Sequence, residues 1–292
     1  MSLRPYIELT KPRIVILLVF TCVASMVVAA DSFPPADRLM LTILGGALSA
    51  GGASAINQYL DRELDARMAR TARRPIPSGR IPARHGLVFG LALVALSVLA
   101  LGLFVNWLAA ALALAGAIYY VIIYTLALKR NTVVNILIGG GAGAMPVLVG
   151  WAAANGTLEL QAFILFAIVF YWTPPHSWAL AILVNKDYAA ADVPMMPVAR
   201  GEKVTRLQIL FYAIQLFIIS LSPAALLWLP GAPLLLDWFY LSVAAVLGLI
   251  LIGMAARLIR RADKPSARAL YKYSSLYLAL LFLAMIADRL LL

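Results

Sequence analysis

"KPRIVILLVFTCVASMVVAA", residues 11–30, carries two basic side chains, Lys11 and Arg13, and then seventeen residues without a charge. A helix rises about 1.5 Å per residue, so such a run approaches the length needed to cross about 30 Å of hydrocarbon. It is too long for the apolar core of a secretory leader and offers no clear small-residue cleavage site. The expectation is a first transmembrane helix.

Runs of the same kind recur along a chain that is 63% hydrophobic and 13% charged, with a mean hydropathy of +0.92. A water-soluble domain of 292 residues could not hide so much apolar surface. Nine spans are predicted, at roughly residues 14–30, 39–60, 86–104, 107–127, 133–153, 160–184, 206–229, 238–257 and 270–290. The predicted fold class is all-α, a single polytopic membrane domain over residues 1–292. Cys22, the one cysteine, excludes an intrachain disulfide and a cysteine metal cluster, and reads as a small core residue.

Basic residues sort sharply between the two sides. The N-terminal segment and the four loops on its side hold 22 of the 24 Lys and Arg, leaving Arg38 and Arg289 opposite. The positive-inside rule then puts the N-terminus in the cytoplasm and the C-terminus outside. This sorting accounts for the net charge of +11 without a nucleic-acid partner. Trp107, Trp151, Trp228 and Trp238 fall at predicted outer helix ends, as an interfacial belt would. Trp172 and Trp178 lie within the sixth span instead and are assigned equally to cavity lining or packing.

The second span runs into "NQYLDRELDARMARTARRPIPSGR", residues 57–80. Asn57, Asp61 and Asp65 recur at steps of four, which keeps them within an arc of roughly 80° on one helix face. They sit at a carboxyl end, where the helix dipole already disfavours anions. A divalent cation would reverse that penalty, since Mg²⁺ takes one or two carboxylates together with substrate phosphate oxygens. The plainer alternative is a solvated helix end whose acids pair with neighbouring arginines. Arg70, Arg73 and Arg74 lead into "RPIPSGR", whose prolines and glycine specify a turn, and arginine forks match phosphate geometry.

A similar arrangement follows the sixth span. There "NKDYAAADVPMMPVARG" is expected to end the helix at Asp187 and then repeats two spaced prolines, a basic residue and a glycine. Two such modules four spans apart suggest an internal duplication with the site between its halves. Asp192 lies five residues from Asp187, on another face, and ranks below it.

"NQYLDRELD" followed by "RTARRP" resembles the signature of UbiA-type intramembrane prenyltransferases. "KRNTVVNILIGGGAGAMPVLVGW", "PPHSWALAI" and "DYAAADVPMMPV" resemble the branch of that superfamily that farnesylates heme. These matches extend over roughly residues 50–200; Val147 departs from the second proline that branch often carries after Pro146. The resemblance implies nine helices around a central cavity, in a bacterial cytoplasmic (inner) membrane. It implies farnesyl diphosphate as donor and heme B as acceptor and substrate, with Mg²⁺ as cofactor. The implied metal ligands are Asn57, Asp61, Asp65 and Asp187, the three aspartates being catalytic; Arg70, Arg74 and Lys129 would bind diphosphate. Membrane lipid is the surrounding partner, and the product would pass to a downstream heme-modifying enzyme or to terminal oxidase assembly.

For the acceptor, His176, Trp172 and Asn135 are the candidate residues, with Asn131 near them. His176 follows Pro174 and Pro175, expected to kink the span, and an ionisable group inside a membrane span is a functional suspect. Its roles remain iron ligand, hydrogen-bonding pocket residue or buried structural histidine. His85 reads as interfacial. Gly139, Gly140, Gly141, Gly143 and Gly150 in the fifth span either let helices approach closely or leave room for a flat macrocycle. Two other classes compete: a quinone-precursor (aromatic acid) prenyltransferase sharing the metal site, and a transporter. The Asp/Arg modules argue against transport. The single Asp-x3-Asp-x3-Asp-type segment and the "PPHSWALAI" stretch argue against a quinone acceptor.

Overall fold

The structure, a computed structural model, describes residues 3–30, 32–225 and 236–291. Among them, nine helices are long and apolar enough to cross a membrane. In chain order the elements are α1 (Arg4–Leu9), α2 (Pro12–Ala30), α3 (Ala36–Leu60), α4 (Arg62–Arg67), α5 (Ala83–Phe104) and α6 (Trp107–Ile118). A π-helical continuation, Tyr119–Leu128, extends α6. There follow α7 (Asn135–Asn155), α8 (Leu160–Leu183), α9 (Asn185–Ala190), α10 (Met196–Ala199), α11 (Gly201–Ala225), α12 (Trp238–Arg261) and α13 (Lys264–Leu291).

These helices match the nine predicted spans, with the largest difference where α11 and α13 begin and α12 ends. There Glu202, Lys203, Arg260, Arg261 and Lys264 continue the helices past the apolar stretch. Hydropathy marks where lipid stops; backbone hydrogen bonding continues wherever the side chains tolerate it.

The cavity is lined by α2, α3, α6 with its π-helical extension, α7, α8 and α13. Helices α5, α11 and α12 contribute nothing to its wall: α5 backs α3, and α11 and α12 back α8 and α13. Of the nine helices arranged around the cavity, six therefore line it and three buttress those six. Hydroxyl groups tie the helices through backbone carbonyls: Ser25 to Val147, Ser49 to Ala113 and Ser97 to Gly45, all at 2.7–3.0 Å. Away from water, such interhelical bonds contribute about 0.6–2 kcal/mol each. On the opposite face, buried Asp288 of α13 accepts hydrogen bonds from the Asp237 and Tyr240 amides and so closes the start of α12.

The glycines of α7 mostly serve close approach. A Cβ at Gly150 would overlap the Cys22 carbonyl, one at Gly139 the Tyr124 ring, and those at Gly140 and Gly141 would press on Thr173 and Tyr119. Gly143 differs, since a Cβ there meets nothing within 4 Å and the residue lines the cavity. Cys22 is a buried free thiol whose backbone carbonyl faces Gly150 of α7.

The tryptophan belt needs correction. Trp107 and Trp238 are exposed at helix ends, as expected, but Trp151 is buried in the α7–α8 core. It lies in the last turns of α7 but faces inward, because α7 is packed against α2, α6 and α8. Trp228 lies outside the described residues.

Candidate functional site

Asn57 is buried on the last turn of α3 and Asp61 is the residue between α3 and α4. The helix breaks at Asp61 (φ −89°, ψ 4°), yet the Asp61 amide still bonds to the Asn57 carbonyl and the Asp65 amide to the Asp61 carbonyl. The step of four therefore survives the break and keeps the three side chains on one side. Both aspartates are completely buried. Carboxylates in that position require partners.

Asp61 accepts from Lys129 and Asn57 Nδ2 at Oδ2 and from Arg130 at Oδ1 (3.2 Å). Asp65 Oδ2 accepts from Arg74 at 2.7 Å. Three cations on two carboxylates leave a surplus of positive charge, which an anionic ligand would relieve. Asp65 Oδ1 is buried without a hydrogen-bond partner. The pairing expected of a charged helix end and the spare ligand oxygen expected of a cation site thus occur together.

Among the described residues, no three His, Cys, Asp or Glu side chains converge closely enough to hold a metal by themselves. The donors that converge are two acids and an amide, one acid oxygen being unengaged. That set fits Mg²⁺, which completes its shell with water and phosphate oxygens. Among the described residues, Asp187 does not complete a three-acid cluster with Asp61 and Asp65. It was expected to end the sixth span, but α8 stops at Leu183 and Asp187 lies in the first turn of the separate helix α9, partly exposed. Val184 (φ −114°, ψ 28°) makes that break. Asp192 is exposed, with φ +53°.

The two acidic modules nevertheless meet. Leu64 and Met68 from the first pack with Ala191, Val193 and Met195 from the second in one buried cluster. Arg70 stacks over the Tyr188 ring and its Nη2 lies 3.4 Å from the phenol oxygen. Gly79 (φ +74°) and Gly201 (φ +78°) end the two proline-rich loops in the same left-handed conformation, which supports the duplication.

Lys11 was read only as a flank of the first span, and it belongs to this site. Its Nζ donates to Asn57 Oδ1 at 3.2 Å. Ser54 and Gln58 both donate to the Leu9 carbonyl (3.0 and 2.8 Å), pinning the α1–α2 joint against α3 beside Asn57. Lys11 itself has φ +51°, a strained conformation for a non-glycine residue. Burial pushes the Lys11 ammonium down to about 7, Arg74 and Lys129 acting in the same direction and Asp65 and Asp61 opposing. The only sequence cue was a lysine immediately before proline at the membrane edge.

Thr125 and Arg130 were also missed. Thr125 Oγ1 accepts from Asn57 Nδ2 at 3.0 Å and donates to the Tyr120 carbonyl, a geometry available because this segment is π-helical. Lys129 follows directly and its backbone amide bonds to the Tyr124 carbonyl.

Next to this site lies a cavity of about 590 Å³, within the usual range for small-molecule sites. Its wall includes Lys11, Tyr120, Tyr124, Gly143, Trp172, His176 and Tyr271. The α8 helix continues through Pro174 and Pro175. His176 stacks on Trp172 one turn away (centroids 4.3 Å apart) and lies 4.7 Å from the Tyr271 ring. Its Nδ1 is 2.8 Å from Ser274 Oγ, and Trp172 Nε1 donates to the Ser274 carbonyl. No hydrogen bond among the described residues engages Nε2. Trp178 packs in the core away from the cavity, and Asn131 is exposed. Asn135 also falls off the cavity wall: it is buried behind Lys129, donating to its carbonyl at 3.3 Å. His85 is exposed.

A protein from Symbiobacterium thermophilum named protoheme IX farnesyltransferase is 50% identical over 98% of this chain and 94% of its own length. One of the same name from Roseiflexus sp. is 52% identical over 98% of this chain but 52% of its own length, and the chain spans about half of several such longer relatives. A solved structure of a digeranylgeranylglyceryl phosphate synthase superposes with a TM-score of 0.80 at 20% identity, covering 99% of each chain. A UbiA homologue from Archaeoglobus fulgidus bound to GPP and Mg²⁺ gives 0.64 at 15% identity, covering 97% of this chain and 99% of that one. The family model described as "UbiA prenyltransferase family" matches residues 17–284, and the chain belongs to that family.

Proposed function

We propose that the protein transfers the farnesyl group of farnesyl diphosphate to a vinyl group of heme B, giving heme O and diphosphate. The observation that carries this reading is the adjoining of a cation-rich acid site and an apolar cavity. A prenyl diphosphate has those two halves, a polyanionic head and an apolar tail.

Arg74, Lys129 and Arg70 supply fixed positive charge to the departing diphosphate, charge that need not reorganise during the reaction. Mg²⁺, held by Asn57, Asp61 and Asp65 with Asp187 as a further acidic donor, would supply Lewis-acid charge to the same leaving group. Asn135 fixes the Lys129 backbone from behind. The apolar walls keep water from the allylic cation until the vinyl group reaches it. His176 and Trp172 favour a flat acceptor: the histidine is oriented through Nδ1, leaving Nε2 for an iron or a porphyrin edge. The names carried by the relatives support the same acceptor, and the GPP and Mg²⁺ of the archaeal homologue support the donor and metal.

In this reading the N-terminus and both acidic modules face the cytoplasm and the C-terminus lies outside, in a bacterial cytoplasmic membrane, with the product handed to a downstream heme-modifying enzyme or oxidase assembly. The test is incubation of purified protein with heme B, farnesyl diphosphate and Mg²⁺, followed by mass spectrometry of the porphyrin. A gain of one farnesyl group and one hydroxyl is expected. Prenylation of a phenolic acid with no porphyrin product would move the protein to the quinone branch.

A further inference from the structure

Four cations surround the aspartates: Lys11, Arg74, Lys129 and Arg130. Only Lys11 among them also lines the acceptor cavity. It therefore stands on the boundary between the space that fits a diphosphate and the space that fits the groups joined by the reaction. In a prenyl diphosphate that boundary is the bond from C1 to the bridging oxygen. We propose that Lys11 is a catalytic residue that stabilises the bridging oxygen of the leaving diphosphate.

The step is a heterolysis. The C1–O bond breaks, both electrons remain on the bridging oxygen, and the Lys11 N–H donates a hydrogen bond to the charge that develops there. The allylic cation left behind accepts the vinyl π pair of heme B. Water then adds to the resulting porphyrin-stabilised cation and loses its proton to solvent. Diphosphate departs with its electrons and no other reactant is required.

Two features of the chain support this placement. Lys11 is held at a strained joint (φ +51°) whose neighbouring carbonyl, on Leu9, is gripped by Ser54 and Gln58 of α3, so the ammonium is fixed relative to Asn57. A conformation that costs free energy and is anchored from outside is typical of a functional position. The Asn57 oxygen that holds Lys11 is also a proposed metal ligand, and a divalent cation bound there would repel the ammonium beside it. A ligand that brings its own anionic oxygens gives the ammonium its alternative partner. The other three cations rest on carboxylates rather than on a neutral amide, which leaves Lys11 the least committed of the four.

This inference rests on the prenyl diphosphate reading above, and the experiment separates the two. Purified full-length protein is compared with Lys11→Met, Lys11→Arg and Lys11→Ala, checking thermal unfolding of each. Mg²⁺-dependent binding of inorganic pyrophosphate is measured by calorimetry, and farnesyl transfer by single turnover with and without added methylammonium. The expected result is a fall of about 100-fold in the single-turnover rate for Lys11→Met and Lys11→Ala, the scale for removing one preorganised donor. Pyrophosphate affinity should fall by about tenfold or less, Lys11→Arg should retain it, and methylammonium should restore turnover to Lys11→Ala. Wild-type rate and affinity in Lys11→Met would overturn the proposal. So would a loss of rate that methylammonium and arginine both leave unrepaired while pyrophosphate affinity is unchanged, because that pattern describes a structural joint. Wild-type protein that binds no pyrophosphate with Mg²⁺ would instead sink the diphosphate reading itself, and the role of Lys11 with it.

Discussion

The guanidinium of Arg70 lies 5.7 Å from the centre of the Tyr188 ring, joining residues 118 positions apart in the sequence. One belongs to the loop after Asp65 and the other adjoins Asp187, so this polar contact couples the two acidic modules alongside their shared apolar cluster. Cation–π contacts of this exposure contribute about 0.5–1 kcal/mol. A double-mutant cycle of Arg70→Ala and Tyr188→Leu should yield a coupling of that size in farnesyl diphosphate KM. Additive effects would show that the modules act independently there.

Asp65→Asn and Asp187→Asn should each lower turnover by at least about 100-fold, since each removes a charge assigned to the metal. Their stabilities should differ. Asp65 is buried against Arg74, so the substitution breaks an ion pair, whereas Asp187 is partly exposed and should change stability by about 0.5 kcal/mol or less. Thermal unfolding alongside the assay checks both. Full activity of Asp187→Asn would remove it from the metal set. Asp61→Asn is the poorer probe, because Lys129 and Arg130 lose their shared partner.

Gly143 and Gly150 should respond oppositely to enlargement. Gly143→Leu has open space and should leave the unfolding temperature nearly unchanged while blocking heme B binding and sparing pyrophosphate binding. Gly150→Ala forces α7 away from the Cys22 backbone and should cost about 1–3 kcal/mol of stability. Undiminished heme B binding by Gly143→Leu would mean that the acceptor occupies another space.

His176→Ala should weaken heme B binding by about tenfold, or about 1.4 kcal/mol, and leave pyrophosphate binding intact. If Nε2 ligates iron, the heme absorption spectrum must shift as well, because the axial field changes. A weaker complex with an unshifted spectrum assigns His176 to the pocket wall. Unchanged affinity would remove it from the acceptor site.

The spans were readable because their signal is cumulative: a residue or two misjudged at an end does not hide the seventeen uncharged residues 14–30 of α2. Asn57, Asp61 and Asp65 were readable because hydrogen bonding at a spacing of four survives the break at Asp61. What sequence could not convey depends on distant neighbours or on a local change of helix type. Lys11 acquires its place from Ser54 and Gln58, more than forty residues away. Trp151 is buried because of which helices surround α7. The end of α8 at Leu183 separates Asp187 from the helix it was assigned to, with no proline or glycine at the break to announce it.

The π-helical segment Tyr119–Leu128 carries a consequence for insertions and deletions. It delivers Lys129 to Asp61 and Thr125 to Asn57 through turns that each hold more residues than an α-turn. Deleting one residue within it would permit ordinary α-helical winding, yet Thr125 and Lys129, which the wide turns place, would lose their register with Asn57 and Asp61. The chain would gain a more regular helix and lose Lys129 from Asp61. Length in this stretch is therefore as constrained as composition, and a one-residue gap here would disable the site more surely than most substitutions on its walls.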